Sequence, residues 1–552
     1  MKRFLSKVAY KAAFGSMEKE VDQYLRTVTP DIALHDLRNY LVQFRARSNG
    51  FKEDTLQEIF DACSEQDSPQ EPYWTKESFR NHIAKTHPNS AIPDTAIDVL
   101  WSCFYYYAYH PFPRDCNDPA IAKLDRPAFD RAVTLLALQG TEVLGTLDCG
   151  WSHWAYIRDR PYPCRRDYDR ILRSIGQLIL EVHSQQDSTS AGSFQSVKGD
   201  MMDLVATAQP HLLKAIPGVR RLEPTALRLL EGVPWKYRVH SDSLAALVSL
   251  LGGLRLWDGT WGRRRFHYGS VESRSGTEMG DLLVRRLQVD EEGFVTTDSL
   301  VRGLDLLPNF ELRFHHLWAV LFQPPPLPES QPLGDESLAD STISAVLRAA
   351  LLLVPPADED ERRPLGRTSR AFWFKEIYQS SAAELESLSF TRLAQAIVED
   401  DSPKPHLVLF FGDQQGQVPG VMGAYFPGPE REKAGEDEGM RKSGLGLCLP
   451  QLLFYLQPGF GVLRLRAGGE YRLPGQQDPV AEYWLGESEA GVGLRIDPRT
   501  GGQTAFVQRD QSVYKDVLGS GGDEAPGGIK ASFTVSEMIV YRVEGGEDGW
   551  EE

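Results

Sequence analysis

Cysteine is scarce and never paired at metal or redox spacing: Cys63, Cys103, Cys116, Cys149, Cys164 and Cys448 are all that 552 residues carry. That argues against a disulfide framework and fits a reducing compartment. Nor is there an apolar run near the roughly 18 residues that a bilayer-spanning helix needs. The nearest, Ala349 to Val354, stops at Pro355 and Pro356. Positive charge is in deficit, with 60 Lys and Arg against 77 Asp and Glu and a net charge of −17. Such a balance repels phosphate backbones, so nucleic acid is excluded as a general partner. No G-x-S-x-G elbow, G-x-x-x-x-G-K-(S/T) loop, H-E-x-x-H pair or strand-borne G-x-G-x-x-G is present, so no nucleophile, phosphate cradle, zinc centre or dinucleotide fingerprint can be read. Position 2 is Lys2 rather than glycine, which excludes N-myristoylation.

What the chain does have is enough apolar residue, 41%, for packed cores, and a length that predicts two or three folding units. In the first 20 residues Lys2, Arg3, Lys7 and Lys11 interleave with Phe4, Leu5, Val8 and Phe14. Such a basic amphipathic segment reads as a surface helix, a peripheral membrane contact or a mitochondrial presequence. From Asp31 to Phe322 apolar residues recur at helical spacing: Leu37, Tyr40, Leu41, Phe44; Leu56, Ile59, Phe60, Cys63; Ile97, Leu100, Trp101, Phe104. The polar stretch 184–200 predicts a linker between two helical lobes, and Pro324, Pro325, Pro326 and Pro328 predict a stiff extended linker. After one more helix around Leu347 and Leu351, strands take over. Leu407 to Phe411 reads as a strand buried on both faces, and Val492, Leu494 and Ile496 alternate as in a half-buried one. The predicted order is a basic segment (1–27), a helical lobe (28–183), a polar linker (184–200), a second helical lobe (201–322), a Pro-rich linker (323–340) and a β-rich domain (341–544). The stretch 428–443 reads as a disordered loop.

The β-rich part carries a sequence of short motifs in a fixed order. Ile377, Tyr378, Ser380 and Ser381 come first, then Phe390, Leu393 and Ile397 on one helix face with Ser389 as its cap. The strand Leu407 to Phe411 follows with Gly412 and Asp413, then Gly420, Val421, Gly423, Ala424 and Tyr425. Leu453, Phe454, Leu456 and Pro458 precede Gly491, Gly493, Leu494, Ile496 and Asp497. Together these resemble the TLDc family over about 200 residues, with departures at the closing strand (Met538, Ile539, Val540, Tyr541) and in the glycine-rich loop Gly519 to Gly528. With its helical first half, the chain looks most like the fungal restriction of telomere capping branch or the metazoan TLDc proteins with degenerate EF-hands.

The resemblance implies an α+β fold: a mostly helical, EF-hand-like region followed by an antiparallel β-sandwich with a few helices. It further implies a non-enzymatic interaction protein with a role in oxidative-stress resistance and in binding or disassembling the vacuolar proton-pumping ATPase. The implied partner is therefore a protein, the implied location cytoplasmic with peripheral contact at the vacuolar membrane, and the oligomeric state stays open. No catalytic, cofactor-binding or metal-binding residue is assigned.

Calcium is the hypothesis such ancestry raises. A working loop needs oxygen ligands at its first, third and fifth positions, glycine at the sixth and a bidentate Glu at the twelfth. Trp74 to Phe79, Leu124 to Phe129 and Val295 to Leu300 share the loop's ending, but Ser78, Ala128 and Ser299 stand at the twelfth position. The third loop offers Asp290, Glu292 and Gly293 with Gln288 in first place, so EF-hand packing without the ion is expected. His315 and His316 are adjacent and diverge by roughly 100° on a helix, which prevents that element alone from holding one metal. His153 between Trp151 and Trp154 reads as an aromatic cluster, Asp258 in W-D-G-T-W as a turn, and Arg263 to Arg265 as a solvated basic loop. An enzyme of oxidative defence using Cys448 is the competing class, disfavoured because apolar neighbours oppose thiolate formation.

Overall fold

The computed structural model describes residues 2–48, 53–67, 71–88, 90, 92–112, 122–138, 164–179, 190–209, 217–233, 235–262, 266–272, 277–296, 299–300, 303, 306–324, 342–354, 372–380, 404–413, 420–426, 451–457, 460–465, 483–487, 492–497, 503–508, 514–516 and 528–545. Helices dominate to residue 353: α1 (Lys2–Thr27), α2 (Pro30–Ser48), α3 (Glu53–Cys63), β1 (Glu65–Gln66), β2 (Pro72–Tyr73), α4 (Lys76–Thr86), α5 (Asp94–Tyr109) and α6 (Arg126–Leu136). They continue as α7 (Cys164–Ile175), β3 (Gln177–Ile179), α8 (Ser190–Ala208), α9 (Val219–Leu229), β4 (Lys236–His240), α10 (Ser241–Gly252), β5 (Leu254–Trp261) and β6 (Phe266–Val271). The last of this region are α11 (Thr277–Arg286), β7 (Phe294–Val295), α12 (Phe310–Leu321) and α13 (Thr342–Leu353).

The periodic residues do what their spacing predicts. Leu37, Leu41, Leu56, Phe60, Ile97, Leu100, Trp101 and Phe104 are all buried in one apolar cluster, because residues three and four apart share a helix face. Side chains fix the starts of α4 and α6. Thr75 and Ser78 form a capping box at α4, and Asp125 Oδ1 accepts from Ala128 N at 2.9 Å ahead of α6.

Strands follow: β8 (Phe372–Ser380), β9 (His406–Asp413), β10 (Gly420–Phe426), β11 (Leu452–Gln457), β12 (Gly461–Leu465), β13 (Tyr483–Glu487), β14 (Val492–Asp497), β15 (Gln503–Gln508), β16 (Tyr514–Asp516) and β17 (Gly528–Gly545). Their order is β13-β14-β15-β17-β9-β10-β11-β12-β16, with β8 paired to β17, and every pairing is antiparallel. The 18 residues of β17 serve β15 with one end and β8 with the other, shifting register between Val540 and Tyr541. The closing-strand residues Met538 to Tyr541 thus lie inside a longer element that begins at Gly528.

Alternation along β9 explains its continuous apolar run. Leu407, Leu409 and Phe411 join the cluster that holds the helices, while Val408 and Phe410 join a second one with Leu485, Leu494, Ile496, Phe533 and Val535. Gly423 is required by its neighbour, since a Cβ there would lie 2.2 Å from the Phe454 ring. The fold is α+β, with helices predominant to residue 353 and antiparallel strands after it.

Two expectations are changed. Residues 190–200 of the expected polar linker belong to α8, where Val197 and Asp200 are buried and Asp200 is paired with Arg170 instead of solvated; 184–189 lie outside the described residues. Asp258 lies within β5, at a register shift against β6 between Leu256 and Thr260, so W-D-G-T-W is an irregular strand and not a turn. Ile377 and Tyr378 belong to a strand, β8. The helix face of Phe390, Leu393 and Ile397, its cap Ser389, most of the Pro-rich linker and the stretch 428–443 lie outside the described residues. Helix α13 shares the helical cluster, and Asn309 Nδ2 donates to the Leu351 carbonyl at 2.8 Å and to that of Val354.

Candidate functional site

The loops between α3 and α4 and between α5 and α6 meet through one antiparallel bridge. Trp74 N donates to Leu124 O and Leu124 N to Trp74 O, each at 2.8 Å. Around this bridge, positions that a calcium loop would give to the ion are held by protein groups. Ser78 Oγ donates to Glu65 Oε1 at 3.1 Å and accepts from Thr75 N at 3.0 Å, while Thr75 Oγ1 also bonds Glu65. The Lys123 ammonium pairs with Asp67 and lies 3.9 Å over the Tyr73 ring. Lys123, then Tyr73, holds the Asp67 carboxyl below its usual range. A side-chain cation therefore sits on the acid of the first loop.

The third loop is closed in the same way. Asp290 Oδ1 accepts from Glu292 N at 3.0 Å and Phe294 N at 2.8 Å, and Gln288 N donates to Ser299 Oγ at 3.1 Å. Gly293 has φ of +88°, and a Cβ there would come within 2.7 Å of His240 Nε2. Among the described residues, no group of three His, Cys, Asp or Glu side chains is arranged to hold a metal ion. Millimolar calcium is expected to leave the unfolding midpoint of the full chain unchanged, whereas a site filled at a hundred times its dissociation constant would add about 2.7 kcal/mol; a calcium-dependent thermal melt would refute this.

The densest chemistry is inside the helical region. Asp200, on α8, accepts from Arg170 Nε at 2.9 Å and from Arg170 Nη2 at 2.7 Å, a bidentate pair across to α7. His110 Nε2 donates to Asp200 Oδ2 at 2.8 Å. With that proton on Nε2, Nδ1 is the acceptor and Tyr106 OH donates to it at 2.9 Å. Arg173 pairs with Asp169, which also accepts from Tyr237 OH at 2.7 Å. Burial would raise the Asp200 carboxyl, yet Arg170 and His110 hold it well below the carboxylate range. Burial pushes His110 down to about 4 and Tyr106 up to about 12, so imidazole and phenol are both neutral near pH 7.

Tyr106, His110 and Asp200 have the hydroxyl–imidazole–carboxylate order of a nucleophilic triad. Their burial removes that chemistry. His110 and Asp200 side chains are 0% exposed and a phenol near pKa 12 is no nucleophile, so the arrangement joins α5, α7 and α8 instead of meeting a substrate. Its residues carried no motif. The available signal was local and partial: Asp200 and Asp203 are charged residues three apart, one just before and one inside the apolar stretch from Met201 to Ala208, the mark of acids facing a core, whereas Arg170 and Arg173 lie in a segment already rich in charge.

Elsewhere the chemistry-bearing residues are structural. His315 Nδ1 donates to the Leu136 carbonyl at 2.9 Å, and His315 and His316 are both buried on α12. Cys103 is buried, which pushes its thiol up to about 12, and Ser174 Oγ donates to its sulfur at 3.2 Å. Cys448, His153 with its two tryptophans, Arg263 to Arg265 and most of the glycine-rich loop lie outside the described residues. No helix is long and apolar enough to cross a membrane among the described residues. No family model matches the chain, and no curated protein does so either.

Proposed function

We propose that the chain is a non-enzymatic regulatory protein of the TLDc kind that acts by docking, with a role in oxidative-stress resistance and in binding or disassembly of the vacuolar proton-pumping ATPase. The observation that carries this reading is the strand region. Alternate residues of β9 enter two apolar clusters, as in the middle layer of a strand domain covered on both faces, and β10 and β14 contain the Gly423-Ala424-Tyr425 and Gly493-Leu494 motifs. We read it as a two-layer sandwich of that family. The helical half supports the same reading, since α3–α4 and α5–α6 are helix–loop–helix pairs joined by a loop bridge, the packing of paired EF-hands without their ion.

A docking protein does its work by binding one arrangement of a partner better than another, which needs surface rather than a reactive centre. The cytoplasm, with peripheral contact at the vacuolar membrane, is the location that fits such a partner. Affinity purification of the tagged full chain is the test: pump subunits are expected to copurify, and their absence from a preparation that retains intact folded bait would sink the proposal.

A further inference from the structure

Two histidines of the helical region grip one turn. His82 Nε2, in α4, donates to the Leu321 carbonyl at 3.0 Å, and its ring lies on Phe322 with centroids 4.9 Å apart. His87, which ends α4, faces the Val320 carbonyl and has Nδ1 2.9 Å from Thr86 Oγ1. His82 therefore bonds the last turn of α12, where the chain leaves for α13 and the strands, and the buried His87 lies beside the same turn with its Nε2 left without a hydrogen-bond partner. His110 is the third, in the joint of α5, α7 and α8. The three are 3%, 6% and 1% exposed.

The surroundings of each oppose a proton. Around His82 stand the Trp74 and Phe322 rings, with Lys85 and His87 as the chargeable groups that face it. His87 has the hydroxyl of Thr86 and the Val320 carbonyl. His110 faces Tyr106, Asp200, Arg170 and Arg173, but the charge of Asp200 is already matched by Arg170 and that of Arg173 by Asp169. A proton on His110 must share Asp200 with Arg170, and it puts an N–H at Nδ1 against the Tyr106 hydroxyl, which loses its acceptor.

We propose that these three histidines make the hold of α4 on α12, and the neighbouring joint of α5, α7 and α8, an acid-released clasp: closed near pH 7 and opened as the surroundings fall towards pH 5. Burial first, then neighbouring cations where present, pushes all three imidazoles down to about 4 from an ordinary 6.5. A depressed folded-state value means the opened form takes the proton first, so the hold is complete above about 6.5 and is lost as pH falls towards 4. At pH 5 the open-to-closed ratio rises about 30-fold for each histidine released, or roughly a thousandfold where His82 and His87 let go together. Carboxylates of ordinary pKa contribute little above pH 5.

Amide hydrogen exchange of the full chain at pH 7, 6 and 5, corrected for the intrinsic rate, reads the clasp directly. Protection over 310–323 is expected to fall by about 500-fold between pH 7 and 5 and to return on neutralisation; unchanged protection overturns the proposal. In the double variant His82→Gln and His87→Gln that response is expected to flatten, and an undiminished response also overturns it. Should the variant not fold, exchange of the imidazole C2 hydrogens in the wild-type chain decides: titration of His82 and His87 below pH 5 supports the clasp, and titration near 6.5 refutes it.

Discussion

Replacing Asp200 with alanine is expected to lower the stability of the full chain by about 3–5 kcal/mol, seen as a shifted midpoint in urea unfolding at pH 7. The size follows from what is left behind. Arg170 is buried with its Nε and Nη2 on this carboxylate, and His110 Nε2–H loses its acceptor. An arginine is charged at any ordinary pH, so it cannot escape by deprotonating. Replacing Asp200 with asparagine keeps the shape and loses the charge, and should fall nearly as far. The double variant Asp200→Leu with Arg170→Met should recover most of the loss, because a buried pair exchanged for apolar residues of similar volume is often neutral or stabilising. If Asp200→Ala alone changes the midpoint by less than about 1 kcal/mol, the pair is not buried as described.

The legible part of this fold is the part governed by near neighbours in sequence. The helix faces through Leu100, Trp101 and Phe104 and the strands β9 and β14 were readable because burial imposes a period of 3.6 or 2 on adjacent residues. Asp200 was unreadable because its partners are 30 and 90 positions away, and a polar stretch without known partners reads as linker. β5 was misread because Asp-Gly is turn chemistry locally, while pairing with β6 places Asp258 at a strand irregularity. Of the candidate sites, the loop endings were found because Trp74 and Leu124 recur with the same spacing to a following helix; that Lys123 would sit on Asp67 depends on two loops meeting in space.

Truncating Trp74 to alanine is expected to lower stability by about 3–5 kcal/mol, the range for a large aromatic removed from a packed core. Its side chain is fully buried between Phe129, at 4.6 Å between ring centroids, and His82, at 5.5 Å. Two further losses put it at the upper end: Phe60 O loses the indole Nε1 donor at 2.9 Å, and the backbone bridge to Leu124 loses the side chain that packs it in place. Trp74→Phe keeps much of the ring and drops the donor, so it should lose less than half as much. Millimolar calcium should rescue neither variant, since Ser78, Glu65 and Lys123 already close the loops with their own side chains. The same truncation bears on the clasp. Water admitted beside His82 would bring its ring back towards 6.5 in the folded state, and a histidine with equal pKa open and closed contributes no pH dependence. Trp74→Ala should therefore be weaker at pH 7 and less sensitive to acid than the wild type, a combination that a simple loss of packing does not produce; a variant that is destabilised but keeps the full wild-type acid slope would separate the tryptophan's packing from the titration of His82.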